Sequence, residues 1–281
     1  MLRYGTVPTA TGRVPRDHWL LPEEQQAILD FHEQHPLEGY RRLTFLMLDA
    51  NVVAVSPATV YRVLRGAGRL DRWVRRPSRQ GTGFVPPLAP HDHWHTDITH
   101  VKFAGTYQLL CGALDGYSRF LLEWDLRDQM TERDVELVLQ RAHERFPDAR
   151  PRVISDNGSQ YIARDFHEFI RQAGMTHVRT SPGYPQANGK YEQWNATLKQ
   201  DGVRPANPDG PEAARRVIAA FVEYYNYRRL HSALGYITPA DMLAGRAEVI
   251  WAERDRKLET ARDRRRAARA MLALAEPPGV R

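Results

Sequence analysis

The first apolar periodicity along the chain follows Pro22, where Ile28, Leu29 and His32 share a face and His35-Pro36 closes the run; this predicts a helix. The residues ahead of it are rich in Thr, Arg and Pro without periodicity, and read as a loose leader over 1–21. A second helix opens at Gly39-Tyr40-Arg41-Arg42-Leu43, with Leu43, Leu46 and Met47 inward. Asn51 to Val55 makes a short turn, and Ser56-Pro57-Ala58-Thr59 supplies an N-cap followed by proline at the first helical position. The third helix runs to about Gly66; it buries Val60 and Val63 or Leu64 and leaves Thr59, Tyr61, Arg62 and Arg65 outward. This is helix-turn-helix spacing, in which the second helix can enter a major groove with Arg62 and Arg65 at phosphates or base edges. An ordinary helical pair with a solvated basic face gives the same pattern.

From His91 the period changes. His93 to Phe103, Tyr107 to Leu114 and Arg119 to Leu126 read as an antiparallel meander of three strands. Thr131-Glu132-Arg133-Asp134 is a capping-box-like start for a helix with Val135, Val138, Leu139, Ala142 and Phe146 inward. A fourth strand, Arg152 to Ser155, stops at Asp156-Asn157-Gly158; a helix from about Ala163 to Ala173 is closed by Gly174, and a fifth strand covers Thr176 to Thr180. That order predicts an α/β domain with a mixed five-stranded sheet. Ser181 to Gly189, with Pro182, Gly183 and Pro185, is too rich in breakers for regular structure and is expected to stay mobile until a ligand binds. The helix opened by Asn188-Gly189 places Tyr191, Trp194 and Leu198 on one face and Glu192, Asn195 and Lys199 on another. A helix from about Pro211 to Arg229 buries Val217, Ile218, Phe221, Val222 and Tyr225. Between Trp251 and Ala270 there are eight basic and four acidic residues, which fits either a solvated helix stabilised by i,i+4 pairs or a basic arm centred on Arg262, Arg264, Arg265, Arg266 and Arg269.

Composition narrows the classes. The 281 residues, 42% hydrophobic, can bury a core of more than one domain. The single cysteine, Cys111, excludes an internal disulfide framework and any zinc site needing two cysteines. No apolar run approaches the ~18 residues of a bilayer span, so the expectation is a cytoplasmic protein without membrane attachment. The net charge of +6 is a mild excess, but its distribution is informative: seven arginines, Arg75 and Arg76 among them, lie between Tyr61 and Arg79 against one acid, Asp71. Together with Pro86-Pro87 this reads as a basic linker over 71–90.

Three carboxylates carry the candidate chemistry. Asp97 is in mid-strand, Asp156 at the carboxyl end of the fourth strand and Glu192 near a helix start. If the first and fourth strands are neighbours, the two aspartates meet in the crevice where open α/β sheets bind ligands. Two carboxylates so close imply a divalent cation between them, and hydrated Mg2+ held by a few carboxylates and substrate phosphates suits such a site. His91, His93, His95 and His100 have no cysteine nearby and only Asp92 and Asp97 as acidic neighbours, which argues against a separate metal centre. Taken singly, each of the three acids has an ordinary explanation as a turn, ion-pair or helix-dipole residue.

Trp94-His95-Thr96-Asp97-Ile98-Thr99, Ser155-Asp156-Asn157-Gly158-Ser159-Gln160-Tyr161 and Pro185-Gln186-Ala187-Asn188-Gly189-Lys190-Tyr191-Glu192 resemble the three signature blocks of the DDE integrase core. Asp156 and Glu192 are separated by 35 residues, the D,D(35)E spacing of retroviral integrases and insertion-sequence transposases. Tyr224-Tyr225-Asn226, Arg229, His231, Leu234-Gly235-Tyr236 and Thr238-Pro239 look like the tail of the core in IS3-family transposases, second-frame product, and Gly39 to Leu70 resembles the segment preceding it. The resemblance, which covers about residues 35 to 245, implies an RNase H-like core, placed here over 91–245; the helical pattern gives a helix-turn-helix-like domain over 22–70 and the charge pattern a charged helical arm over 246–281. It implies two Mg2+ (or Mn2+) ions, with Asp97 bridging both, Asp156 completing one site and Glu192 the other. It also implies cleavage of element ends and their joining to target DNA, by a homo-oligomer on DNA in the bacterial nucleoid, with an upstream-frame helix-turn-helix partner or fusion. Lys199 is placed like the family's DNA-contacting lysine, and with Asn188, Arg62, Arg65, Arg75 and Arg76 completes the expected DNA-contact set. Where many relatives have Glu-Arg-Phe this chain has Glu192-Gln193-Trp194, one positive charge fewer beside the ligand. A regulator with an inactive core, and a nuclease that cuts without joining, are the alternatives; the three intact acids count against the first.

Overall fold

A computed structural model describes residues 20–70, 86–179 and 188–275. The described residues form two compact units, one made of the helices before residue 74 together with the chain from Val249 onward, the other lying within Val74–Glu248.

In the first unit, α1 (Pro22–Gln34), α2 (Tyr40–Asp49) and α3 (Pro57–Gly66) enclose a core of Ile28, Leu43, Met47, Val53, Val55, Val60 and Leu64. The inward face of α2 is rotated from the sequence expectation: Leu48 and Thr44 are buried and Leu46 is only half-buried. Thr44 Oγ1 donates to Tyr40 O at 2.7 Å, and this satisfied hydroxyl tolerates burial.

The second unit is built on a five-stranded sheet of β1 (His93–Phe103), β2 (Thr106–Asp115), β3 (Leu121–Arg127), β4 (Arg152–Ser155) and β5 (Thr176–Arg179), in the order β3-β2-β1-β4-β5. The first three strands pair antiparallel, and β4 and β5 add in parallel through helices. Alternation along β2 divides the core. Cys111 and Ala113 face α4 (Glu132–Arg145), whereas Leu110 and Leu114 face Tyr191, Trp194 and Ile218 on the other side. The capping box forms as the sequence expects: Thr131 Oγ1 accepts from the Asp134 N–H and Asp134 Oδ2 accepts from the Thr131 N–H.

The helix expected from about Ala163 to Ala173 is α6 (Arg164–Gln172), and a short α5 (Ser159–Ile162), which the sequence did not announce, precedes it, separated by the extended Ala163. After β5 come α7 (Gly189–Thr197), a π-helical stretch over Leu198–Val203, α8 (Arg204–Ala206), α9 (Pro211–Tyr227) and α10 (Pro239–Leu243). Tyr191, Trp194 and Leu198 are all buried, and at roughly 1.5–3 kcal/mol per large apolar side chain they fix α7 to the sheet. Asn195, expected on the outward polar face, is buried as well.

On the long helix α11 (Ala247–Ala275) most positions are exposed, but one inner stripe, Arg254, Ala261 and Arg265, is buried, which neither sequence reading of the C-terminal arm foresees. Arg254 and Arg265 are each 4% exposed, and both bond to α1, α2 or the turn after α2.

Candidate active site

The β1–β4 pairing decides the geometry of the site. His93 lies opposite Arg152, Trp94 opposite Val153 and His95 opposite Ile154, all in parallel. Continued two residues, the same register sets Asp97 beside Asp156, just past the end of β4. Each aspartate is held by one oxygen: Asp97 Oδ1 accepts from the Ile98 N–H at 2.8 Å and Asp156 Oδ1 from the Gly158 N–H at 2.9 Å. The second bond is the side-chain-to-backbone turn expected of Asp-Asn-Gly, and it sends the chain into α5.

Glu192 stands exposed on the first turn of α7, and its charge is felt at Asp97. Burial first, then the negative charge of Asp156, pushes the Asp97 carboxyl up to about 6; Glu192 adds to the rise, while the Ile98 N–H and Lys199 oppose it. The three acids are therefore electrostatic neighbours. They do not form a closed cage, since among the described residues no group of three or more His, Cys, Asp or Glu is placed to hold a metal ion.

Lys199 belongs to this neighbourhood. Its Nζ donates to Thr99 Oγ1 at 2.6 Å, two residues along β1 from Asp97; burial lowers the pKa of the ammonium and Asp97 restores part of it. Asn188 is 4% exposed, and its Nδ2 donates to Thr96 O at 3.2 Å. That places its side chain behind the site as a link between α7 and β1, rather than on an open surface where DNA would meet it. Lys190 was not singled out by the sequence, because a lysine in a first helical turn looks solvated. Its Nζ donates to Gly116 O at 3.0 Å, and burial, with Arg119 nearby and against the pull of Asp115, lowers it to about 7. Asn188 and Lys190 thus tie the start of α7 to β1 and to the β2–β3 turn on the approach to Glu192. His95 is fully buried and held neutral, chiefly by burial.

Of the remaining candidates, Arg62 and Arg65 are exposed on α3 beside Tyr61. Arg62 Nε donates to Ala58 O at 3.1 Å. Arg75 and Arg76 lie outside the described residues, as does most of the leader and of the Ser181 to Gly189 loop.

A β3-β2-β1-β4-β5 sheet with acids on β1, just after β4 and on α7 beyond β5 defines a DDE polynucleotidyl transferase on an RNase H-like core. Two integrase core domain families match the chain, over residues 87–185 and 173–239. Transposase InsD for insertion element IS2A/D/F/H/I/K of Escherichia coli is 33% identical over 229 residues, covering 75% of each chain. The InsD copy for insertion element IS2D in strain K12 matches equally well. Among solved structures, the simian T-cell lymphotropic virus intasome in complex with PP2A regulatory subunit B56 gamma is similar, with a TM-score of 0.51 and 18% identity over 77% of this chain and 74% of that one. The chain belongs to the IS3-family transposases, enzymes of mobile elements built on an integrase core.

Proposed function

We propose that Asp97, Asp156 and Glu192 bind two Mg2+ (or Mn2+) ions, and that this one site performs both cleavage of the element's ends and their transfer into target DNA. The observation that carries the proposal is the convergence of three charges at Asp97. The donor set fits the ions: it consists of carboxylate oxygens only, and a hard dication would offset both the burial and the repulsion from Asp156 and Glu192 that raise Asp97. When bound, the ions would activate the attacking oxygen and stabilise the leaving one.

The chain's own residues prepare the site. The Ile98 and Gly158 N–H groups each hold one oxygen of an aspartate, which fixes its rotation and keeps Oδ2 as a second donor. Asn188 and Lys190 hold the helix that carries Glu192, so the third ligand approaches on a packed element. Lys199 offers a cation beside the carboxylates, where a phosphodiester would arrive. Nicking uses water as nucleophile and joining uses the freed 3′-OH; both are in-line phosphoryl transfers, so neither needs a covalent protein intermediate. The substrate is DNA, acted on by more than one copy of the chain, and an upstream-frame partner or fusion supplies further recognition. Among the described residues no helix is long and apolar enough to cross a membrane.

The test incubates purified protein and Mg2+ with labelled element ends. Nicked and joined products together are expected. Nicks without joining would assign a nuclease, no product would assign a regulator, and full activity in an Asp156→Asn variant would overturn the ligand set.

A further inference from the structure

The turn after α2 and the middle of α11 belong to the same compact unit and enclose a groove of about 210 Å3. Its floor is apolar, with Val52 and Val53 among the residues after α2 and Ala261 on α11; Arg256, Lys257 and Arg264 supply its charge, and none of its lining residues is acidic. Positions 256, 260 and 264 are four apart and share one face of the helix; at 1.5 Å per residue the row is about 12 Å long. The adjacent stripe, Arg254, Ala261 and Arg265, is buried.

That buried stripe holds the groove open in a fixed shape. Arg254 forks onto Asp49 at 2.8 and 2.6 Å and lies 4.9 Å from the centre of the Phe45 ring. Arg265 bonds Glu24 Oε2 at 2.7 Å and Ala54 O at 2.6 Å. Glu24 is shared by Arg264 and Arg265, which leaves one positive charge in excess beside the groove. Arg256 pairs with Glu253 and Arg264 with Glu24 at 2.8 Å, but neither glutamate lines the groove. Lys257 uses one of its three donors on Leu48 O at 3.0 Å.

The ligand chemistry follows from charge and position. A cationic groove without carboxylates selects an anion, and the turn that forms one wall leads directly into α3, whose exposed face carries Tyr61, Arg62 and Arg65. A helix of this kind reads base edges near its N-terminus while the flanking backbone phosphates are held by neighbouring elements. We infer that the groove is a phosphate-contact subsite gripping the backbone of the duplex that α3 engages, so that the DNA-recognition surface is built from both ends of the chain. This rests on α3 engaging DNA, and the experiment separates the two statements.

Binding of the full-length protein to a labelled duplex carrying one end of its own element is measured by anisotropy across a salt series. The variants are Arg256→Gln, Thr260→Glu and the double variant Arg62→Gln/Arg65→Gln. Arg256 is 73% exposed and Thr260 is exposed, so both positions accept the change without unfolding, which melting curves verify. Loss of one phosphate contact in Arg256→Gln lowers the slope of log K against log salt by about 0.9. Thr260→Glu weakens binding to matched and scrambled duplexes alike, because a backbone contact carries no sequence information. If the α3 double variant weakens binding while both groove variants leave affinity and slope unchanged, the groove assignment is overturned. If the α3 variant also binds like the parent protein, the α3 reading falls, and the groove assignment with it.

Discussion

Replacing Arg265 by methionine tests whether the C-terminal helix is an integral part of the first unit. Methionine keeps the apolar stem and removes the guanidinium, whose partner Glu24 is as buried as Arg265 itself, at 4% exposure each. Breaking a buried pair from one side costs about 3–5 kcal/mol, and the bond to Ala54 O is also lost. Part of that is recovered, because Glu24 keeps Arg264 at 2.8 Å and the Leu21 N–H at 3.0 Å. The net expectation is about 3 kcal/mol, which for a unit of about a hundred residues is a fall in melting temperature on the order of 15 °C. Differential scanning calorimetry of the full chain measures it, and the double variant Arg265→Met/Glu24→Gln, which buries no unpaired charge, should recover part of the loss.

The pH dependence supplies a second arm of the same test. Burial alone would raise the Glu24 carboxyl, but hydrogen bonds from Arg265 and the Leu21 N–H, with the arginine charges, outweigh it and hold the group below its ordinary 4.5. A lowered carboxylate contributes stability that is fully present above the unfolded-state value and disappears as pH falls through the folded one. The gap between parent and Arg265→Met should therefore be widest above pH 4.5 and close on acidification. A fall of less than about 5 °C at neutral pH, or a gap that does not narrow in acid, would refute the reasoning.

Two further outcomes follow from the second unit. A Cβ at Gly112 would lie 2.7 Å from Tyr191 Oη and 3.2 Å from the Glu123 carbonyl of β3, so Gly112→Ala should cost about 1–3 kcal/mol of stability. Because the displaced Tyr191 adjoins Glu192, strand joining should fall further than the melting temperature accounts for, and full activity would contradict this account of α7. Cys111 is fully buried, and burial pushes its thiol up to about 12, so a disulfide reagent at pH 8 should leave it untouched in the folded protein and titrate one thiol in denaturant.

Much of the candidate site was legible in the sequence, because its signals are local. His93–Phe103 and Arg152–Ser155 are strands with the bounds their alternation and turn residues predict, and the 35 residues between Asp156 and Glu192 are a property of the chain alone. Whether the carboxylates meet is not local. It depends on β1 having β4 as its neighbour and on their register, which hydrogen bonds between distant segments fix. Side-chain direction at the ends of packed helices was equally hidden: Asn188, Lys190 and Asn195 carry polar names in polar positions, yet the close approach of α7 to the sheet buries or anchors each of them. The C-terminal helix shows the limit most plainly. Its charge pattern determined that it would be a helix, since i,i+3 and i,i+4 neighbours are written within a few residues. Only the tertiary structure decided which arginines turn inward, because the acids that receive them lie 205 and 241 residues away, and no periodicity along the chain encodes a partner at that distance.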